Sequence, residues 1–418
     1  MEQQVEQPVA PRSGIALRPL GAVEQYFWLS DQNSPKHFCM TLQVSGETTI
    51  ESWSNALEAT RLRHPLLRAT IARSEFGVPS FYGGSDRPIP LEVIRSEPPH
   101  AWKAVVSDEL MRPFKQTDAP LVRAVLFHSP RYATLVFTAH HAVADGVSIA
   151  FVLRDMLEVM SGGHREHLGL AFAQETIASN WDMNPIAAAQ SAVVSPARML
   201  DRSKGAPVIS SLQLSQEFSA QLRVAVRRHA TTVHGALLSA IILAGRRLSK
   251  AWCDTAIRAV SPVNLRPTLG IADDCVVSIV FPIGGYAPDI ATGLWDLARD
   301  VRQDLMPMKT REAIVKSFDA FQRIFDASPS LEELAAIELQ ACACEMMLSN
   351  LGEAPLSDAY GPVRVEALWG PSVFVGIEGE QMIGAATVAG RIHLLHTSFT
   401  PIPGLLETAE KLLREAVV

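Results

Sequence analysis

Apolar positions along this chain fall into short runs whose period changes from strand-like to helix-like and back. Residues 133–139 (Ala-Thr-Leu-Val-Phe-Thr-Ala) form a run with few polar interruptions, as strands of a buried sheet do. Ile149, Val152, Leu153, Met156, Leu157 and Met160 then recur at helical spacing. Residues 119–127 read as a second strand, joined to the first by His128-Ser129-Pro130-Arg131, which predicts an antiparallel pair. Earlier, residues 41–44 read as a strand, and 50–64 as a helix with Leu57 and Leu62 inward. The second half predicts helices at 215–229, 233–248, 294–306 and 314–324. It predicts strands at 255–260, 276–282, 346–350, 363–368, 372–377 and 391–396. Periodicity alone therefore gives mixed α and β elements without a short internal repeat.

Breaks in this pattern predict the organisation. Residues 1–14 are polar, carry Pro8 and Pro11, and read as a loose tail. Residues 15–185 form a first unit, and 186–207, rich in Ala, Ser and Pro, a linker to a second unit at 208–418. The chain has 418 residues, 48% of them hydrophobic. That is enough for one large core or for two domains of about 200 residues each.

Charge and cysteine usage narrow the class. A formal charge of −7 and a pI near 6.0 weigh against nucleic acid as the main partner. Cys39, Cys253, Cys275, Cys342 and Cys344 show no paired spacing beyond Cys342-x-Cys344, so a reduced, cytoplasmic protein without disulfides is expected. The polar start lacks the apolar core of a secretory signal. The longest uncharged apolar stretch, near 236–245, falls short of the ~20 residues a bilayer needs, so no transmembrane segment is expected. A mean hydropathy of +0.13 fits an apolar tunnel or a large core equally well.

The densest chemistry lies at His140-His141-Ala142-Val143-Ala144-Asp145-Gly146, between the predicted strand and the predicted helix. Histidine titrates near pH 6.5 and so takes and returns a proton near neutrality. A strand end would hold such a base rigidly, and the turn would bring a carboxylate back towards it. The plainer reading is a satisfied histidine pair followed by an Asp that caps the next helix.

This heptad resembles the HHxxxDG signature of the thioester-dependent acyltransferase superfamily. That superfamily includes nonribosomal peptide condensation domains, chloramphenicol acetyltransferase and the polyketide-associated acyltransferases. Weaker resemblances follow in the family's order. They are Arg18-Pro19-Leu20-Gly21 with Glu24, the stretch from Leu62 to Ala69, Pro120-Leu121-Val122-Arg123, residues 232–240, Pro262-Val263-Asn264-Leu265-Arg266, and Ser349-Asn350-Leu351-Gly352. Length and the last motif place the nearest resemblance with stand-alone polyketide-associated acyltransferases. The plant branch's DFGWG motif is absent; Tyr360-Gly361-Pro362 occupies roughly its place.

The resemblance implies an α/β fold of two chloramphenicol-acetyltransferase-like subdomains in a V, with the active-site channel between them. It implies transfer of an acyl group from acyl-CoA or a carrier-bound phosphopantetheine thioester to an alcohol or amine. His141 would be the catalytic base, or would position the acceptor. His140, Asp145, Gly146 and Arg266 would shape the loop, with Asp145 paired to Arg266. Ser349 and Asn350 would contact substrate or oxyanion, or simply end a polar strand. No metal and no permanently bound cofactor are implied, and a monomer is expected. Ester formation is the first expectation. A condensation-type enzyme making an amide on a carrier protein, or a non-catalytic carrier-docking module, are the alternatives.

Other chemistries find little in the sequence. A Gly-x-Ser-x-Gly elbow and a Gly-rich phosphate loop are both missing. His164-Arg165-Glu166-His167 lacks metal-protease spacing and follows Ser161-Gly162-Gly163 in a predicted surface loop. His393 and His396 fall on opposite faces of a strand, which argues against a shared metal. Cys342 and Cys344 lie in an apolar, helix-like segment and read as buried thiols. Arg223, Arg227, Arg228 and His229 form a basic helix end, a solvated face or a phosphate-docking patch.

Overall fold

The computed structural model describes residues 14–95, 101–115, 118–181, 197–288 and 293–417. Two six-stranded sheets organise them. The first runs, in spatial order, Ala359–Tyr360, Val363–Ser372, His37–Ser45, Tyr132–His140, Val122–Ser129 and Leu91–Arg95. The second runs Ile283–Tyr286, Ile257–Val260, Met346–Glu353, Gln381–Val388, Arg391–Ser398 and Val208–Gln213. Leu91–Arg95 lies parallel to its neighbour, and Met346–Glu353 lies parallel to both of its own. The fold is therefore mixed α/β with mixed sheets, as expected.

The predicted antiparallel pair is present, with Leu126 opposite Leu135. Tyr132–His140 is flanked on its other side by His37–Ser45, whose His37 sits opposite His140. The strand that leads into the heptad thus has neighbours on both edges, and its end is fixed. Gly146–Met160 follows as a helix that buries Ile149, Val152, Leu153, Met156 and Leu157. These pack with Leu42, Leu135 and Phe137 in one core. Leu237, Ile241, Leu348, Ile383 and Leu394 form a second core around the helix Val233–Leu248. Each such side chain contributes about 1.5–3 kcal/mol by leaving water.

The chain division at 186–207 is not a division between sheets. Val363–Ser372, well past it, pairs with His37–Ser45 in the first sheet. This strand also locks the sheets together. A Cβ on Gly384 of the second sheet would lie 2.2 Å from the Pro371 carbonyl oxygen, so only glycine allows the approach. Beside it Ser372 Oγ is 2.6 Å from Thr397 Oγ1. Residues 1–13 and 186–196 lie outside the described residues. The rest of the expected linker is docked: Leu200 N–H donates to the Gly376 carbonyl and Arg202 to that of Leu110.

Three expectations are redrawn by polar partners. In Ile50–Arg63, Leu57 is buried but Leu62 only half so, while Arg61 and Arg63 are buried. Arg61 grips Glu58, and Arg63 meets Asp155 at 2.6 Å, so each cation has its carboxylate. Residues 276–282 contribute only Ile279–Val280 as strand. The backbone of Val276 and Ser278 is claimed instead by the polar cluster around Arg266 described below. Residues 372–377 do not start a new strand, because the Glu380 carboxylate takes the N–H groups of Val375 and Gly376.

Candidate active site

His141 projects into a cavity of about 300 Å³ that residues of both halves line. Its backbone N–H donates to the Lys36 carbonyl at 2.8 Å. Its ring stacks on Phe27, with centroids 4.2 Å apart and planes 5° from parallel, and Phe38 packs on it at 4.6 Å. Ring Nδ1 is 3.1 Å from the Ala144 carbonyl oxygen, which only accepts, so a neutral ring carries its proton there. Nε2 is then the free lone pair. Burial pushes the His141 pKa down to about 4; Asp145 pulls it up and His140 down by lesser amounts. The ring is neutral at pH 7.

His140 is set the opposite way. Its Nδ1 accepts the Ala142 N–H at 3.0 Å, and Nε2 faces Asp31 at 3.5 Å. Asp31 also accepts the Lys36 N–H. The segment from Asp31 to Lys36 therefore braces both histidines from below, and His140 itself is buried behind the cavity wall.

Asp145 caps the helix Gly146–Met160. It accepts from Ser148 N at 2.8 Å, Ser278 N at 2.9 Å and Arg266 Nη1 at 2.8 Å. Ser148 Oγ stands 3.0 Å from Oδ1, the oxygen that also takes the Ser148 N–H. Burial alone would raise its pKa, but Arg266 and these donors outweigh that and lower it. Arg266 also reaches Ser148 Oγ at 2.8 Å, the Val276 carbonyl at 2.7 Å and Asn264 Oδ1 at 3.3 Å. Only its Nε lacks an acceptor. This network joins the two halves just behind the loop. Asp145 thus caps a helix and ties the loop to the second half.

Gly146 lines the cavity. A Cβ there would lie 2.9 Å from both Leu351 and Pro371, so the residue permits a close approach of the second half. Ser349 and Asn350, on Met346–Glu353, also face the cavity. Asn350 Oδ1 accepts the Gly352 N–H at 2.9 Å, which leaves its amide NH₂ as the group available to a ligand.

The cavity contains a second polar group that sequence reading passes over. Lys36 and Glu338 form a buried ion pair at 3.1 Å, with side chains 4% and 1% exposed. Lys36 Nζ donates to the Val375 carbonyl at 2.7 Å as well. Tyr26 lies beside them, its hydroxyl 3.9 Å from Cys342 Sγ. Burial, then Cys342 and Glu338, push the Tyr26 phenol well above its ordinary range. One signal is available in the sequence: Glu338 stands four residues after buried Leu334, at an apolar position of the helix Leu331–Ala341. Cys342 ends that helix and Cys344 is buried just after it.

The remaining candidates do not join this site. His393 contacts Gln213 and Trp369, whereas His396 contacts Gln381. Among the described residues no cluster of His, Cys, Asp and Glu is arranged to hold a metal ion. No described helix is long and apolar enough to cross a membrane.

Comparison with known proteins finds a match for each half of the chain. A condensation-domain family model matches residues 24–168, and a model of the phthiocerol/phthiodiolone dimycocerosyl transferase C-terminus matches residues 203–368. A linear gramicidin synthase of Brevibacillus parabrevis is 29% identical over 160 residues, 36% of this chain and 2% of that protein. Phosphinothricin tripeptide synthetase PhsC of Streptomyces viridochromogenes is 29% identical over 153 residues, 34% of this chain and 14% of its own length. The chain thus spans a small part of the curated relatives it matches. The structure of polyketide synthase associated protein 5 from Mycobacterium tuberculosis superposes with a TM-score of 0.67 at 17% identity, covering 97% of this chain and 98% of that one. The trichothecene 15-O-acetyltransferase TRI3 of Fusarium sporotrichioides gives a TM-score of 0.67 at 11% identity, covering 97% and 94%. Models from two branches of one superfamily match the two halves in order, and the heptad lies at the cavity between them, which fits the condensation-domain superfamily of acyltransferases.

Proposed function

We propose that this protein moves an acyl group from a pantetheine thioester to an alcohol or amine by direct transfer, with His141 as general base. The observation that carries the reading is the state of that imidazole. It is neutral, its Nδ1 proton is committed to the Ala144 carbonyl, and its free Nε2 opens into the cavity. An alcohol beside Nε2 gives up its proton as its oxygen bonds to the thioester carbonyl carbon. The carbonyl oxygen carries the charge, and the Asn350 amide and the Ser349 hydroxyl are the side-chain donors on the facing wall. As the carbonyl re-forms, the C–S bond breaks and the thiolate takes the proton back from His141. A base of low pKa takes the proton in step with bond formation rather than ahead of it.

The donor is acyl-CoA or a carrier-bound thioester, and the cycle needs no permanently bound cofactor. Ester formation is the preferred outcome; an amine acceptor would follow the same path. The test is thiol release from acyl-CoAs of different length, and from loaded carrier proteins, with mixed alcohols and amines. Acceptor-dependent release should fall by about 10²–10⁴ in His141→Ala, the usual contribution of a general base. Unchanged release in that variant, with wild-type folding by circular dichroism, would remove His141 from the chemistry. A folded wild type that binds loaded carrier yet releases no thiol would make the protein a docking module.

A further inference from the structure

Residues 31–36 join the helix Ala22–Ser30 to the strand His37–Ser45, and they hold both histidines of the heptad. Lys36 accepts the His141 N–H on its carbonyl and gives its own N–H to Asp31, which faces His140. The same segment grips the helix Leu331–Ala341 near both ends. Asn33 donates to the Leu331 carbonyl at 2.7 Å, and Lys36 pairs with Glu338 at 3.1 Å. On that helix Leu334, Ile337 and Ala341 line the cavity beside Glu338.

Glu338 has a second neighbour. The Tyr26 hydroxyl lies against it, and Tyr26 precedes Phe27, whose ring stacks on the His141 imidazole. Lys36 therefore holds the backbone of the base and Phe27 one face of its ring, while Lys36 and the neighbour of Phe27 both hold Glu338. Folding alone does not call for charges here. The two side chains are 4% and 1% exposed, and apolar residues of the same size are often tolerated or preferred in such places. Apolar contacts would let the helix slide. An ammonium held between a carboxylate and the Val375 carbonyl fixes it in direction as well as distance.

We propose that Glu338 is a positioning residue for His141: through Lys36 and Tyr26 it ties the cavity-lining helix Leu331–Ala341 to the backbone and the ring of the base. It touches no reacting atom. It keeps Nε2 aimed while substrate presses on Leu334 and Ile337. A shift of about 1 Å in such a group costs about 10²-fold in rate. The inference rests on the acyl-transfer reading for the task of the base, and not for the tie itself.

The test is Lys36→Met/Glu338→Leu in the full chain, with two readouts. The His141 imidazole, assigned by its loss in His141→Ala, is followed by NMR from about pH 8 to about pH 5, where histidine ordinarily titrates. In the wild type the buried ring, with its pKa at about 4, stays neutral there. In the variant the loosened ring meets water and should titrate towards its ordinary value of about 6.5. Asp145 and His140, the ionisable groups that act on this ring, are untouched, and Lys36 and Glu338 leave together with no change of net charge, so the shift reports the ring's burial. Acceptor-dependent thiol release at neutral pH should fall about ten- to a hundredfold, and further below about pH 6.5 while the wild-type rate stays level. Tyr26→Phe, which removes the hydroxyl and keeps the ion pair, should move both readouts the same way by less. An imidazole that stays neutral to about pH 5 in the folded variants overturns the tie, even where the rate has fallen. If the double variant does not fold, Tyr26→Phe decides by the same criterion. A wild type that releases no thiol sinks acyl transfer and leaves the NMR result standing; release with an unmoved imidazole does the reverse.

Discussion

Two buried ion pairs join the halves of this molecule around one cavity, and they are completed differently. Asp145 and Arg266 meet at 2.8 Å inside a network that includes Ser148, Val276, Ser278 and Asn264. Lys36 and Glu338 meet at 3.1 Å, with the Tyr26 phenol beside them and no backbone N–H on either carboxylate oxygen. In the first pair both carboxylate oxygens are met by backbone, hydroxyl and guanidinium donors. It holds the loop and the second half in register. The difference lies in hydrogen-bond saturation rather than burial, since all four side chains are nearly inaccessible to solvent.

Breaking the saturated pair should have the largest effect. Arg266→Ala leaves the Asp145 carboxylate buried and unpaired, which costs about 3–5 kcal/mol when one partner of such a pair is lost. Urea unfolding measures it. Wild-type stability with abolished turnover would instead put the Asp145–Arg266 pair in the chemistry.

Acid titration separates this pair from the buried histidines. Burial depresses the pKa of His37 to about 3 and of His141, His234, His393 and His396 to about 4. Unfolded histidine titrates near 6.5, so unfolding takes up protons below that pH. The stability these residues contribute is complete above about pH 6.5 and is lost as pH falls towards 4. The slope is about 1.4 kcal/mol per pH unit for each histidine still neutral in the fold. Asp145 works at lower pH: its pKa is depressed from the ordinary carboxylate value, so its contribution persists until pH falls below that value. The Arg266→Ala deficit should therefore be the same at pH 7 and pH 5, while both proteins weaken. A deficit that shrinks by pH 5 would mean that burial, once Arg266 is gone, lifts Asp145 above the ordinary carboxylate range.

A smaller effect tests the contact in front of the saturated pair. Gly146→Ala places a methyl 2.9 Å from Leu351 and Pro371. Leu351 can turn aside but the ring of Pro371 cannot, so an overpacking cost of about 1–3 kcal/mol is expected. Turnover should fall with it, because those residues also line the cavity. A melting temperature equal to wild type would mean the halves separate there without strain.

How much of this is legible in the sequence follows the same line. The strand, loop and helix around His141 are visible because uninterrupted periodicity runs into a specific polar motif. Asp145 and Arg266, far apart in sequence, are joined only through a family resemblance. Gln381–Val388 makes no clear pattern because Gly384, Ala385 and Ala386 carry too little side chain, although every residue of that strand is buried. Residues 276–282 look like a strand because apolar runs do not reveal which backbone groups a distant arginine will claim. Glu338 is readable as a charge at a core position of a helix, but its partner Lys36 lies in a loop near the other end of the chain.

The smallest expected effect is the sharpest test of the comparison. Replacing both members of a buried pair with apolar residues of similar size is often neutral or stabilising by about 1–4 kcal/mol, whereas removing one is costly. Lys36→Met/Glu338→Leu should therefore unfold at the wild-type denaturant concentration or above it, while Lys36→Met alone falls clearly below. The equivalent double change at Asp145 and Arg266 should not be tolerated, because it strands the N–H groups of Ser148 and Ser278 and the Val276 carbonyl. If both double variants lose stability alike, the two pairs are both structural. If only the Asp145–Arg266 replacement does, the molecule keeps the Lys36–Glu338 charges for something other than folding.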